Sequence, residues 1–187
     1  VFGLDNRPLV KPHSRKRTAN SVPHNGFTAP EVAQLYRFPQ NLDGSEQTIA
    51  ILEFNTPQPN GYLGTGYIPA DTAQYFQNLG LPTPKVGVVV LAGGVNAPGI
   101  DVNADIEVAL DVQVAGAVAP GADIVVFLAP NNTSGWLSAL QAALKHPSHP
   151  SIISISWGAP EDSGAWTPQF KNKVERIFQM AQKLGVT

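Results

Sequence analysis

The sequence contains no cysteine. That excludes a disulfide framework, a thiol nucleophile and Cys-ligated zinc, and leaves the redox compartment open. Charge is scarce: Asp, Glu, Lys and Arg make up 14% of the 187 residues, against roughly 25% in an average soluble domain. No run of about 18 apolar residues occurs, so no membrane-spanning helix is expected. The first ten residues have neither a basic start nor an apolar stretch, so no signal peptide is read there. What is present is a core-forming composition, 43% hydrophobic with three Trp and eight Phe, interrupted by 17 Gly and 17 Pro. This argues for an ordered, loop-rich domain rather than a disordered chain. The chain opens on Val1, which reads as a piece of a longer protein.

The net charge of −2 is unevenly spread. Residues 1–37 hold six basic and two acidic groups, and residues 38–187 six basic and twelve acidic. The basic cluster Arg15-Lys16-Arg17 lies in a Pro/Ser/His/Asn-rich stretch from Asn6 to Asn25 with no apolar period. Without interleaved aromatics it is too small a footprint for nucleic acid and reads as a solvated, protease-accessible linker. Neither nucleic acid nor a membrane is expected as a partner.

Beyond the linker, short apolar runs alternate with helical patterns. Thr28 and Glu31 have capping-box spacing ahead of a helix over 29–37. Strands are expected at Gln47–Phe54, Val86–Leu91, Ala122–Leu128 and Ser151–Ser156. Helices are expected at Ala70–Leu79, Trp136–Lys145 and Thr167–Leu184, the last with Phe170, Val174, Ile177, Phe178, Ala181 and Leu184 on one stripe. Strands alternating with helices imply an α/β fold whose parallel sheet is covered on both faces. Gly185-Val186-Thr187 reads as a helix stop and the opening of another strand, so the domain is expected to be cut mid-way.

The stretch Ile106–Val114 is ambiguous. Apolar residues alternate strictly there, which by period alone reads as a strand. In a strand Glu107 and Asp111 would lie about 13 Å apart, but in a helix their Cβ atoms come to about 5–6 Å. Only the helix lets one carboxyl pass a proton to the other. No Lys or Arg occurs between Lys85 and Lys145, yet Asp101, Asp105, Glu107, Asp111 and Asp123 all do. Neighbouring carboxylates without a local cation resist double ionisation and share protons, the basis of an acid-working general acid/base. A solvated acidic face is the bland alternative. A calcium loop is a third: Asp101-x-Asn103-x-Asp105 alternates oxygen ligands, but Ile106 and Val112 stand where an EF-hand needs Gly and Glu. His13, His24, His146 and His149 enter no triad motif. Asn131-Asn132-Thr133-Ser134 holds two overlapping glycosylation sequons. Ser154–Gly158 ends a strand, where parallel sheets place their sites.

Five segments, in order, resemble the sedolisin (serine-carboxyl peptidase) family, kumamolisin-like members above all: Thr28–Pro39 (TAPEVAQLYRFP), Leu42–Glu53 (LDGSEQTIAILE), Ala73–Leu81 (AQYFQNLGL), Glu107–Asp123 (EVALDVQVAGAVAPGAD) and Ser151–Ser163 (SIISISWGAPEDS). Val1–His13 is similar to the tail of that family's propeptide. The resemblance implies a subtilisin-like α/β fold with a Ser-Glu-Asp triad. It favours the helix, with Glu107 as general base and acid and Asp111 orienting it. It implies that Glu53 joins the acidic network beside Trp157, and that Ser156, Trp157 and Gly158 offer backbone to a substrate strand. On this reading residues 1–25 are a propeptide tail and linker, and residues 26–187 the N-terminal part of the catalytic domain. The serine, the oxyanion Asp and the family's calcium site would lie past Thr187. The chain alone would then be inactive, and its partners would be a peptide substrate, its own propeptide and the C-terminal half of the domain. Secretion is implied likewise, and autoprocessing is expected around His13–Asn25. The rival expectation is a non-catalytic peptide- or partner-binding module on the same fold.

Overall fold

The computed structural model describes residues 9–12, 26–58, 63–160, 162 and 164–187. The basic cluster, His13, His24 and the expected processing stretch His13–Asn25 lie outside them. The elements are β1 (Lys11–Pro12), α1 (Ala29–Leu35), β2 (Thr48–Pro57), β3 (Leu63–Gly64), α2 (Pro69–Leu79), β4 (Val86–Val90), α3 (Val102–Val118), β5 (Asp123–Pro130), α4 (Thr133–Leu144), β6 (Ile152–Ser154), β7 (Trp157–Gly158) and α5 (Pro168–Lys183).

Four strands form a parallel sheet in the order β4-β5-β2-β6, with β3 antiparallel to the end of β2. In β2, successive side chains face opposite ways. Ile49 and Ile51 pack toward Val108 and Val112 of α3, while Ala50, Leu52 and Phe54 join Trp136, Ala139 and Leu140 of α4 and Phe170 and Val174 of α5. Helices thus cover both faces of the central strands, as a subtilisin-like α/β fold requires. The covering is incomplete at β4, an edge strand, where Val88 and Val90 remain exposed. Phe178 and Leu184 also depart from the expected buried stripe of α5, and both are exposed. At the other edge the expected last strand begins: Thr187 N–H donates to Ser151 O at 3.0 Å and Ile153 N–H to Thr187 O at 2.8 Å.

Local signals set the boundaries. Glu31 accepts from Thr28 N–H at 2.7 Å, completing the capping box of α1. Gly80 ends α2 in the left-handed region, at φ 66°, where glycine carries no Cβ penalty.

Residues 102–118 are helical, against the strand that their alternation suggests. The buried residues follow the helix repeat, Ala104, Val108, Val112 and Gly116, while Leu110 and Val114 point outward. Asp101 caps the helix, accepting from Asn103 N–H at 3.0 Å and Ala104 N–H at 3.2 Å. Close approach to α2 requires a glycine: a Cβ at Gly116 would lie 2.8 Å from Pro84 Cγ and 2.9 Å from Phe76 Cζ. Phe76 is fully buried and has no room to yield. Gly116→Ala gains up to about 1 kcal/mol of helix propensity but incurs about 1–3 kcal/mol of overpacking. The expected outcome is net destabilisation, read as a lower urea midpoint; a raised midpoint would show that α3 and α2 separate freely.

Candidate active site

The parity that points Ile49 and Ile51 at α3 points Glu53 there too, and Glu53 is fully buried. One turn apart on α3, Glu107 and Asp111 share the inward side with Val108 and Val112. The three carboxyls are electrostatic neighbours: Asp111 and Glu107 both act on Glu53, and Glu107 acts on Asp111. Burial, then the Asp111 charge, push the Glu53 carboxyl well above the usual range, against the opposing hydrogen bond from Trp157 and with a further push from Glu107. Burial chiefly raises Asp111, to about 6, its hydrogen bond from Ser156 opposing and Glu107 adding to the rise. No cation figures among these influences.

The loop after β6 closes over the cluster. Trp157 Nε1–H donates to Glu53 Oε2 at 2.7 Å, and Ser156 Oγ–H donates to Asp111 Oδ1 at 2.9 Å. Each carboxyl keeps one buried oxygen without a partner: Glu53 Oε1, Glu107 Oε2 and Asp111 Oδ2. Charged acceptors facing one another cannot satisfy these oxygens, whereas bound protons turn some of them into donors.

The same loop presents its backbone elsewhere. Trp157 and Gly158 pair antiparallel with Pro12 and Lys11, so an extended chain lies along two of the three residues expected to face a substrate, Ser156 standing outside the pairing. The Trp157 side chain is buried behind that strand and packs edge-on to Phe54, with ring centroids 5.9 Å apart. Just upstream, Leu9 and Val10 are buried in the core. This part of the expected solvated linker is not solvated.

The other acids have structural duties. Asp105 accepts from Gly66 N–H at 2.8 Å and Gly99 N–H at 2.7 Å, pinning two loops. Asp101 caps α3 and accepts from Thr56 Oγ–H at 2.6 Å. Their oxygens are therefore engaged in a cap and two loop anchors, not arranged as a calcium loop. Asp123 pairs with Lys85 at 2.7 Å on the surface, a contact of small energetic weight. His146 bonds Ser148 within its own turn at 2.7 Å. Among the described residues, no group of three or more His, Asp or Glu could hold a metal ion. Of the two sequons, Asn131 is buried and hydrogen-bonded, so it accepts no glycan, and Asn132 caps α4 through Gly135 N–H at 2.8 Å. The sequence showed Asn131 only as a sequon; its place directly after a buried strand was the unused signal.

A parallel sheet with helices on both faces and a carboxyl cluster between β2 and α3 defines an α/β protein with a candidate acid/base site. The comparisons narrow the class to a sedolisin-like chain. It is 46% identical to kumamolisin of Bacillus sp. (strain MN-32) over all of this chain and 34% of that protein. It is 26% identical to tripeptidyl-peptidase sed5 of Aspergillus fumigatus, again over all of this chain and 32% of that protein. Pseudomonas sedolisin, a serine-carboxyl proteinase solved with two molecules of pseudo-iodotyrostatin, superposes with a TM-score of 0.68 at 21% identity, over 87% of this chain and 43% of that one. That superposition establishes the fold. No family model matches the chain. The chain spans about a third of the length of the curated relatives it matches.

Asp111 titrates near 3.8 when unperturbed and near 6 in the fold, so the native state binds its proton more tightly. The stability this provides is complete below about pH 3.8 and lost as pH rises through about 6, amounting to roughly 3 kcal/mol. Glu53 acts in the same direction. Urea unfolding of the full-length protein between pH 4 and 7 is expected to show stability declining with pH. Asp111→Asn should flatten part of that decline; a slope equal to wild type would mean Asp111 takes up no such proton.

Proposed function

We propose that the full-length protein is a serine-carboxyl endopeptidase active in acid, to which this chain contributes Glu107 and Asp111 of a Ser-Glu-Asp triad. The observation that carries this reading is the group of buried Glu53 and Glu107 with half-buried Asp111, tied by Trp157 and Ser156 to a loop whose backbone holds an extended peptide chain. A relative named as a tripeptidyl-peptidase and a structural neighbour named as a serine-carboxyl proteinase support it.

In this reading, Glu107 is the general base, and Asp111, whose burial favours its protonated form, orients it. A serine from outside this chain gives its proton to Glu107 as it attacks the peptide carbonyl. Glu107 returns that proton to the departing amine, and water releases the acyl group by the same steps in reverse. An imidazole in that position, with pKa about 6.5, would already be protonated in acid and could not accept. An oxyanion-stabilising Asp and a calcium ion belong, on this reading, to residues outside this chain, and no step here is routed through the metal. The strand Lys11–Pro12 acts as a resident occupant of the substrate path, as a propeptide tail would. An extracellular setting fits such a peptidase. No helix among the described residues is long and apolar enough to cross a membrane.

The test is peptide hydrolysis by the full-length protein across pH 3–8, with and without Glu107→Ala. Activity is expected to be highest in acid and to fall as pH rises through the range where Asp111 loses its proton, about 6. Removing the base should lower kcat by roughly 10²–10⁴-fold. A neutral optimum, or a Glu107→Ala protein of wild-type kcat, would overturn the assignment.

A further inference from the structure

Asn131 follows β5 directly and is held on both sides: Pro130 pairs with Asn55 of β2, and Asn132 caps α4. Its buried amide is wholly committed to the backbone of a distant part of the chain. Oδ1 accepts from Leu9 N–H at 2.9 Å and Val10 N–H at 3.0 Å, and Nδ2–H donates to Val10 O at 2.9 Å. Leu9 N–H also reaches the Asn131 carbonyl at 3.3 Å. The partners are 121 and 122 residues away in sequence, so no local turn motif accounts for the bonds. A side-chain amide offers the same donor and acceptor as a peptide unit, and here it completes the edge that β7 begins two residues downstream. None of these bonds reads a side chain. The Leu9 and Val10 side chains belong to the hydrophobic core cluster that also holds Phe54, Trp136 and Trp157.

We propose that Asn131 is a positioning residue for peptide substrates. It grips the main chain of an extended peptide just upstream of the residues that pair with Trp157 and Gly158, with an apolar side chain in the core cluster that holds Trp136. This rests on the peptidase reading above and extends it: the N-terminal segment and a substrate would use the same three side-chain bonds, one replacing the other. Recognition there is of backbone shape and of one or two apolar side chains. Peptides too short to reach Asn131 forgo it.

Two measurements separate this proposal from the reading it rests on. Amide hydrogen exchange on the unprocessed full-length protein at neutral pH needs no catalysis. In Asn131→Ala the Leu9 and Val10 amides should exchange at least tenfold faster, while the amides of β2 and β5 keep their protection as the internal check on folding. Unchanged protection at Leu9 and Val10 would overturn the clamp even if peptidase activity were found. The second measurement is KM in acid for paired synthetic peptides, one ending at the strand that faces β7 and one extended N-terminally by two apolar residues. The wild-type protein should prefer the longer peptide by about tenfold or more in KM, the weight of two or three neutral hydrogen bonds. Asn131→Ala should bring the ratio near one. Asn131→Asp, nearly the same shape, should recover the preference only below about pH 4, where a protonated carboxyl again carries both donor and acceptor. An Asn131→Ala protein that keeps the wild-type length preference would confine the clamp to the protein's own segment and so defeat the substrate proposal.

Discussion

Three neighbouring carboxyl groups, two buried and one half-buried, set the terms for the rest of this molecule. Glu53 in the middle of a buried strand would be intolerable as a lone charge, because desolvation alone costs several kcal/mol per ion. Its neighbours Glu107 and Asp111 make ionisation harder, and no cation figures among the groups that act on Glu53 or Asp111. The solution is to keep protons. Trp157 and Ser156 each donate one hydrogen bond into the cluster, which partly stabilises negative charge, but burial outweighs both and the net displacement is upward. A site of this kind is most comfortable in acid, where a histidine-based one loses its base.

The loop after β6 joins those carboxyls to the outer strand. Trp157 turns its indole inward to Glu53 and its main chain outward to Pro12. Anything that shifts the outer strand therefore bears on the donor that holds Glu53. Rigidity comes from below: Phe54, which follows Glu53 along β2, stacks on Trp136 with ring centroids 5.8 Å apart and meets Trp157 edge-on. The aromatic layer on one face of β2 thereby fixes the loop that serves the carboxyls on the other.

Much of this was legible in the sequence because it is local. Capping by Thr28 and Glu31, the stop at Gly80 and the β-branched runs of the sheet are short-range signals, and each element formed within a few residues of its expected place. The helix at 102–118 was not readable from period. Its alternation of Ile106, Val108, Leu110, Val112 and Val114 was decided by tertiary burial of Val108 and Val112 against β2, with Leu110 and Val114 left outside. Glu53 carried no local mark of its role; only its likeness to a family position singled it out. Asn131, Leu9 and Val10 were hidden for another reason: their partnership spans more than a hundred residues, and the polar setting of the segment resembled a solvated linker.

Sheet topology explains why these distant pieces meet. In a parallel sheet every strand delivers its following loop to the same edge. With the order β5-β2-β6, Asn131 emerges after β5 and Ser156–Gly158 after β6, flanking the end of β2. The segment Leu9–Pro12 crossing that edge meets the Asn131 amide first and the β7 backbone two residues later, while Ser156 behind the strand is tied to Asp111. On the proposed reading, binding and proton handling are thus set by two neighbouring crossovers of one sheet. A change in strand order would separate them, whereas changes in the exposed outer strand β4 leave the arrangement intact.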